Sequence, residues 1–265
     1  MARFESREAE WRAYLDGTHP SIWFGRRTFR LVPSAPRCKL CSVPFHGLGR
    51  VLFRHFGFTP WAKNPNICSR CIVWLSEGEV SGAEIEVSFL FADVRRSSDL
   101  ARRVGTMEFT RLMQRFYAVA TEVLLADDAI VEKFVGDEVV GFFIPLMTGP
   151  EHAAAAVRAA EHLLAATGHA DEEGPWLPLG AGVHTGTAFV GVVSSGATTE
   201  FTALGDAINV AAHVSAQAGP GEILVTAASA AAARIETASL ERRNLSLKGH
   251  QVDALVMPVP SVPAA

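Results

Sequence analysis

Two short apolar runs, each ending in an aspartate, constrain the fold of this chain more than any other feature. Val87-Ser88-Phe89-Leu90-Phe91-Ala92-Asp93 is of strand length and closes on a carboxylate. Val131-Glu132-Lys133-Phe134-Val135-Gly136-Asp137 closes the same way, with Gly136 placed for a turn. Between them Leu100, Val104, Met107, Phe116, Ala120 and Val123 recur mostly at three and four residues, the period of a long helix. A strand–helix–strand unit returns the second strand beside the first, so both carboxylates are expected to meet at one sheet edge. Two converging carboxylates suit a pair of divalent metals on a nucleotide polyphosphate, because Mg²⁺ takes one or two carboxylates and keeps phosphate oxygens as further ligands. The same residues also fit an ordinary hairpin turn at Gly136-Asp137 and a helix cap at Asp93.

A second constraint lies upstream. All four cysteines fall in Cys38-Lys39-Leu40-Cys41 and Cys68-Ser69-Arg70-Cys71, with 26 residues between the pairs. Two C-x-x-C pairs at this separation mark a tetrahedral thiolate site: each knuckle supplies two ligands, and four thiolates leave no position for substrate. Residues 1–80 contain few long apolar runs, and a metal would add what core burial does not supply. Zinc is the leading ion, with an iron–sulfur cluster as the alternative and redox-active thiols after that. A cluster would make the domain a sensor rather than a staple. His46 and His55 can replace a cysteine, but with four present they read as surface or packing residues.

The chain has 265 residues, 49% hydrophobic and 20% charged, fractions typical of a soluble globular protein. That length holds one medium domain plus a small one, or two small ones. No apolar run is long enough to cross a bilayer, and Met1-Ala2-Arg3-Phe4-Glu5 lacks the apolar core of a signal peptide, so a cytoplasmic protein is expected. The net charge of −4 conceals an asymmetry. Residues 1–80 carry 12 Lys+Arg against 6 Asp+Glu, and residues 81–265 carry 12 against 22. Two domains of opposite sign are the simplest reading. The basic part can dock on the acidic part, on an acidic partner or on nucleic acid; its scattered arginines argue against the last.

Residues 5–16 read as a short amphipathic helix and Pro20 to Pro36 as irregular. The polar, Gly-containing stretch 76–84 sets a boundary between a four-cysteine domain (1–80) and a second domain (85–257), and 258–265 reads as a disordered tail. Strands near 128–135 and 138–145 flank Gly136-Asp137, and 151–167 is Ala-rich and helical. Leu179 to His184 and Phe189 to Val193 read as two strands, and 205–218 as a helix. The order βαββαβ is that of an α+β, ferredoxin-like sandwich with helices on one face.

Three blocks of the second domain, in this order and spacing, resemble the class III adenylate/guanylate cyclase catalytic domain. They are Phe91-Ala92-Asp93-Val94, then Lys133-Phe134-Val135-Gly136-Asp137, 44 residues on from acid to acid, then Gly180-Ala181-Gly182-Val183-His184-Thr185-Gly186 with Gly191-Val192-Val193 and Phe201-Thr202-Ala203-Leu204-Gly205-Asp206-Ala207-Ile208-Asn209-Val210-Ala211-Ala212. The resemblance implies a homodimer with shared active sites. One subunit would give Asp93, Asp137 and the Val94 carbonyl to two Mg²⁺ or Mn²⁺, and the other the ribose-orienting Asn209 and a transition-state cation. It implies attack of a nucleoside triphosphate's 3′-hydroxyl on its own α-phosphorus, releasing pyrophosphate. The glycines near 182–191 would permit a close hairpin at the dimer contact, and they equally suit plain turns.

Lys133 falls where adenylate cyclases carry the lysine that accepts adenine, and Thr202 where they have Asp or Thr, so together they favour ATP; Lys133 also suits a surface pair with Glu132. Lys248, in Leu247-Lys248-Gly249, matches a position that can reach the triphosphate. Two positions depart from the family. His213 stands where the transition-state arginine is usual, one helical turn after Asn209, and imidazole lacks arginine's permanent charge and forked donors. Arg96 stands at a usual glycine just past Asp93, where it either lends the charge His213 lacks or obstructs the loop. The rival from another class is a non-catalytic nucleotide-binding module that signals through the four-cysteine domain. A diguanylate cyclase, suggested by Gly136-Asp137-Glu138-Val139, has no counterpart to the 180–212 stretch, and a pyrimidine triphosphate substrate stays open.

Overall fold

Pro20 starts a helix rather than an irregular stretch in the computed structural model of this chain, which describes residues 4–29, 36–62, 64–75, 81–195, 198–247 and 250–259. The chain divides into two units. The first comprises Met1–Ile85, Ile144–Pro150 and Ala188–Leu204, and the second Glu86–Phe143, Glu151–Thr187 and Gly205–Ala265. The stretch 76–84 proposed as a domain boundary lies in part outside the described residues, as does Lys248 and most of the 258–265 tail.

In the first unit, α1 (Arg7–Leu15) starts at Ser6, whose hydroxyl accepts from the Ala9 N–H, and buries Trp11, Tyr14 and Leu15. Helix α2 (Pro20–Phe29) corrects the expectation of irregular chain. At the first helical position proline lacks only an N–H that has no intrahelical partner anyway, and its fixed φ suits the helix. Then come α3 (Gly47–Arg54), the short pair β1 (Pro60–Trp61) and β2 (Asn64–Cys68), and α4 (Ser69–Leu75). Phe29, Phe53 and Phe58 meet edge to face, tying α2 and α3 to the loop before β1.

Strand β3 (Gly82–Val94) leads into α5 (Ser97–Val104), α6 (Thr106–Ala126), β4 (Ile130–Val135) and β5 (Glu138–Phe143). After α7 (Pro145–Thr148) come α8 (His152–Ala166), β6 (Leu179–Ser195) and β7 (Thr198–Leu204). The chain closes with α9 (Asp206–Gln217), β8 (Ile223–Thr226), α10 (Ala227–Ala232), β9 (Glu241–Leu247) and β10 (His250–Met257). The sheet runs β4-β5-β3-β6-β8-β10-β9, with β7 paired to the far half of β6. Within it β3-α6-β4-β5-α8-β6 is the expected ferredoxin-like βαββαβ unit.

Two details differ from expectation. The strand beside β3 is β5, antiparallel, not β4, which lies one place further out at the edge. The reason is composition: Val139 to Phe143 of β5 are all buried, as a central strand requires, whereas Lys133 and Phe134 of β4 face solvent. Second, Leu179 to His184 and Phe189 to Val193 belong to one continuous strand, β6. Its glycines do not break it; they admit other backbone. A Cβ on Gly182 would sit 2.2 Å from the Ser215 nitrogen of α9, and one on Gly191 would sit 2.2 Å from the Ser81 carbonyl oxygen.

The main core of the second unit lies between the sheet and helices α6 and α8, where Leu90, Phe116, Leu124, Leu163, Ile223 and Val225 are buried together. Leu224, between the last two, points to the opposite face and packs with Val210 and Val214 of α9. Helix α9 is thus held by the other side of the same sheet.

Candidate active site

The register of β3 against β5 sets the acids in place. Asp93 lies opposite Glu138, and the Val94 N–H donates to the Asp137 carbonyl at 3.1 Å. Asp137 follows Gly136, whose φ of 63° is the left-handed conformation a tight β4–β5 turn requires. The Tyr117 hydroxyl of α6 donates to the Gly136 carbonyl, and its ring packs on Phe134 with centroids 4.7 Å apart. Turn and strand end are therefore anchored separately, and the two carboxylates are brought together.

The electrostatics record that proximity. Burial pushes the Asp93 carboxyl up to about 6; Arg95 works against this, and the Asp137 charge and hydrogen bond add to it. Glu138 is raised too, by burial first and then by Asp93 and Asp137. Three carboxylates face one another here, and Glu138 is a member the motif comparison does not single out, although strand register places it across from Asp93.

Arg95 is the other residue sequence reasoning passed over. Its Nη2 donates to Asp93 Oδ2 at 2.6 Å and its Nε to the Asp93 carbonyl at 3.1 Å. Its Nη1 reaches the carbonyls of Ser215 and Ala218 at 3.4 and 3.2 Å, at the C-terminal end of α9, where a cation is favoured. Arg96, by contrast, is exposed and caps α5 at φ 55°. That left-handed conformation is the one glycine adopts freely.

Beside Asp137 opens a cleft of about 540 Å³, lined in part by Ser97, Ser98, Thr110, Met113 and Gly136. The first turn of α5 borders it, and a helix N-terminus favours anions. Lys133 is exposed on β4 at the point where the register with β5 shifts, its Nζ 3.9 Å from Glu132. Thr202 is buried on β7, opposite Gly191, and belongs to the first unit. Asn209 and His213 stand one turn apart on the exposed face of α9.

The four cysteines form a second candidate centre. Their sulfurs all lie within 4.8 Å of one another, with Cys38 to Cys71 at 4.0 Å and Cys41 to Cys68 at 3.8 Å, and none is in a disulfide. Four sulfurs about 2.3 Å from a central Zn²⁺ sit about 3.8 Å apart along the tetrahedron's edges, so the donor set fits a single tetrahedral ion. A multi-iron cluster puts several atoms between the thiolates and needs wider spacing. The Cys68 N–H donates to the Cys38 sulfur at 3.3 Å. Hydrogen bonds from the other three cysteines hold the Cys38 thiol far below its ordinary value, and the same contacts push Cys41 and Cys71 up. Among the described residues no helix is long and apolar enough to cross a membrane.

A family model described as the adenylate and guanylate cyclase catalytic domain matches residues 80–257. Adenylate cyclase 1 of Rhizobium meliloti (strain 1021) is 29% identical over 134 residues, 49% of this chain and 20% of that protein. The chain thus spans a small part of that relative. The crystal structure of the guanylyl cyclase Cya2 superposes with a TM-score of 0.60 at 19% identity, over 68% of this chain and 95% of that one. The adenylyl cyclase CyaB from P. aeruginosa gives 0.56 at 21% identity, over 67% and 96%. At these identities the structural likeness speaks to the fold.

Proposed function

This chain belongs to the adenylate and guanylate cyclase catalytic domain family, and from that premise we propose that it is a nucleotidyl cyclase acting on ATP at a site completed by a second copy of itself. The observation that carries the reading is the meeting of Asp93 with Asp137, which lines an open cleft. A carboxylate pair in which burial and the neighbouring Asp137 charge raise Asp93's hold on its proton is a donor set a divalent cation relieves, so the residues fit Mg²⁺ or Mn²⁺, held by Asp93, Asp137 and the Val94 carbonyl. Such ions, when bound, neutralise the triphosphate and lower the pKa of the attacking hydroxyl.

The chain's own residues do the rest. Lys133, on the solvent face of β4, donates to the adenine edge. The N-terminal turn of α5 receives phosphate oxygens through its free N–H groups. Asn209 and His213 face outward from α9, so they serve the site of the neighbouring copy, Asn209 orienting the ribose and His213 standing beside the reacting phosphate. The 3′-oxygen bonds to the α-phosphorus as the bond to the β-phosphate oxygen breaks, releasing pyrophosphate. At the cysteines we propose zinc, in a closed structural role.

His213 in place of an arginine favours one other reading, a nucleotide-binding module that turns over weakly or not at all. The deciding experiment incubates the protein with each of the four nucleoside triphosphates and Mn²⁺ and identifies cyclic products by mass. Cyclic AMP from ATP, lost in Asp93→Ala and raised in His213→Arg, is the expected result. Nucleotide binding without any cyclic product, from wild type and His213→Arg alike, would establish the module instead.

A further inference from the structure

The first unit contains a cavity of about 290 Å³ that none of the cyclase chemistry uses. Its walls are apolar, built from Ile22, Phe24 and Phe29 of α2 together with Leu40. Its floor is the four-cysteine centre, of which it touches Cys41 and Cys71, the two that are not fully buried. One cation borders it. Arg70, inside the second cysteine knuckle, is exposed and makes no hydrogen bond or ion pair with any described residue. Tyr14 and Ser21 also line it, their hydroxyls bonded to each other at 3.3 Å.

We infer that this cavity is a binding site for a small apolar monocarboxylate, its tail among the α2 side chains and its head on Arg70. The chemistry follows from the lining. A chamber of aliphatic and aromatic walls binds hydrocarbon, and a single uncommitted guanidinium at its rim reads one planar anion bidentately. At about 30 Å³ for each water-sized group, the 290 Å³ holds on the order of ten non-hydrogen atoms, the size of a medium-chain or arylalkanoic acid. The surplus of basic residues in 1–80 favours the anion over a neutral or cationic ligand of the same shape.

The location gives occupancy two consequences. A ligand covers the exposed side of the thiolate centre and shields Cys41 and Cys71 from chelators. It also bears on α2, which is fastened at both ends of a short path. Gly25 lies against Cys41, where a Cβ would come within 3.1 Å of the Cys41 carbonyl oxygen. Arg26 donates to the carbonyls of Lys39 at 3.0 Å and of Leu146 at 3.4 Å. Leu146 belongs to α7, which follows β5 directly, and β5 begins at Glu138, next to Asp137. A ligand that shifts α2 thereby bears on α7, whose chain runs back into β5 and so to the turn that holds Asp137; this regulatory part alone rests on the cyclase reading.

Calorimetric titration of the zinc-loaded full chain with octanoate tests the site, with 1-octanol as the neutral control. One octanoate per chain is expected, with affinity at least about ten-fold weaker for 1-octanol and for octanoate with Arg70→Gln. Ser21→Phe, which fills the chamber from an exposed helix position, should abolish binding while zinc content, measured on the same samples, stays at one per chain. Octanoate should also slow zinc transfer to a chelator several-fold in wild type and not in Arg70→Gln. Equal binding of acid and alcohol, an unchanged affinity in Arg70→Gln, or no saturable binding of octanoate would overturn the proposal. A protein with no cyclase activity would refute the function proposed above and leave each of these measurements readable.

Discussion

The two ligand clusters of this protein are built oppositely. The four cysteines close on themselves, sulfur to sulfur at the edge length of a tetrahedron, and nothing else is needed to complete a shell. Asp93 and Asp137 form an open arrangement: two carboxylates, one of them lining a cleft, short of a full coordination set and close enough that Asp137 adds to burial in raising Asp93's hold on its proton. A closed set of donors stabilises a fold, and an open one leaves room for phosphate oxygens. What a cluster lacks is therefore as informative as what it contains.

The contrast can be broken most sharply at the open site. Asp137→Ala should reduce cyclase activity by about 10³-fold or more while leaving thermal stability near wild type, because it removes a charge its neighbours oppose. A variant that unfolds with its activity would put Asp137 among the structural residues. The closed site predicts the converse. Cys68→Ser should lose the metal and destabilise the first unit by about 3 kcal/mol or more, as metal analysis and denaturant melts would show.

The pH response separates them further. Asp93 sits well above its ordinary value, at about 6, so the folded state holds its proton more tightly than the unfolded one. Its contribution to stability is full at pH below the unfolded value and is lost as pH rises through about 6. Without added Mg²⁺, wild type should lose stability relative to Asp93→Asn between about pH 4 and 6. Mg²⁺ competes with that proton, so its apparent affinity should fall roughly ten-fold per pH unit below 6. The smallest effect concerns the rim of the open site. Arg96→Gly should stabilise the protein by about 1 kcal/mol, because the left-handed backbone there costs an arginine what it does not cost glycine. A denaturant midpoint that moves down would contradict this.

Much of this architecture can be read from residue order. The β-runs ending in Asp93 and Asp137 and the C-x-x-C spacing are local patterns, and each corresponds to an element or turn of the structure; the single long helix expected between the runs is instead two, α5 and α6, parted at Gly105 with its φ of 82°, and Met107 of the apolar pattern is exposed. Where the reading went astray, the deciding contact was remote. Gly182 looks like a breaker until α9 is laid against it, and β4 looks like the neighbour of β3 until the apolar residues of β5 claim that place. Pro20 was different; its helix signal was local and was passed over.

By itself, then, the sequence determined which residues carry charge and sulfur, and the strand and helix periods that carry them. Only the tertiary structure decided that Glu138 joins the two aspartates, that Arg95 rather than Arg96 rests on Asp93, and that an apolar chamber adjoins the thiolates. Periodicity is a property of neighbours along the chain and survives in any reading of it. Strand register, backbone approach and cavities depend on segments tens of residues apart, and they exist only once burial has chosen which strands lie together.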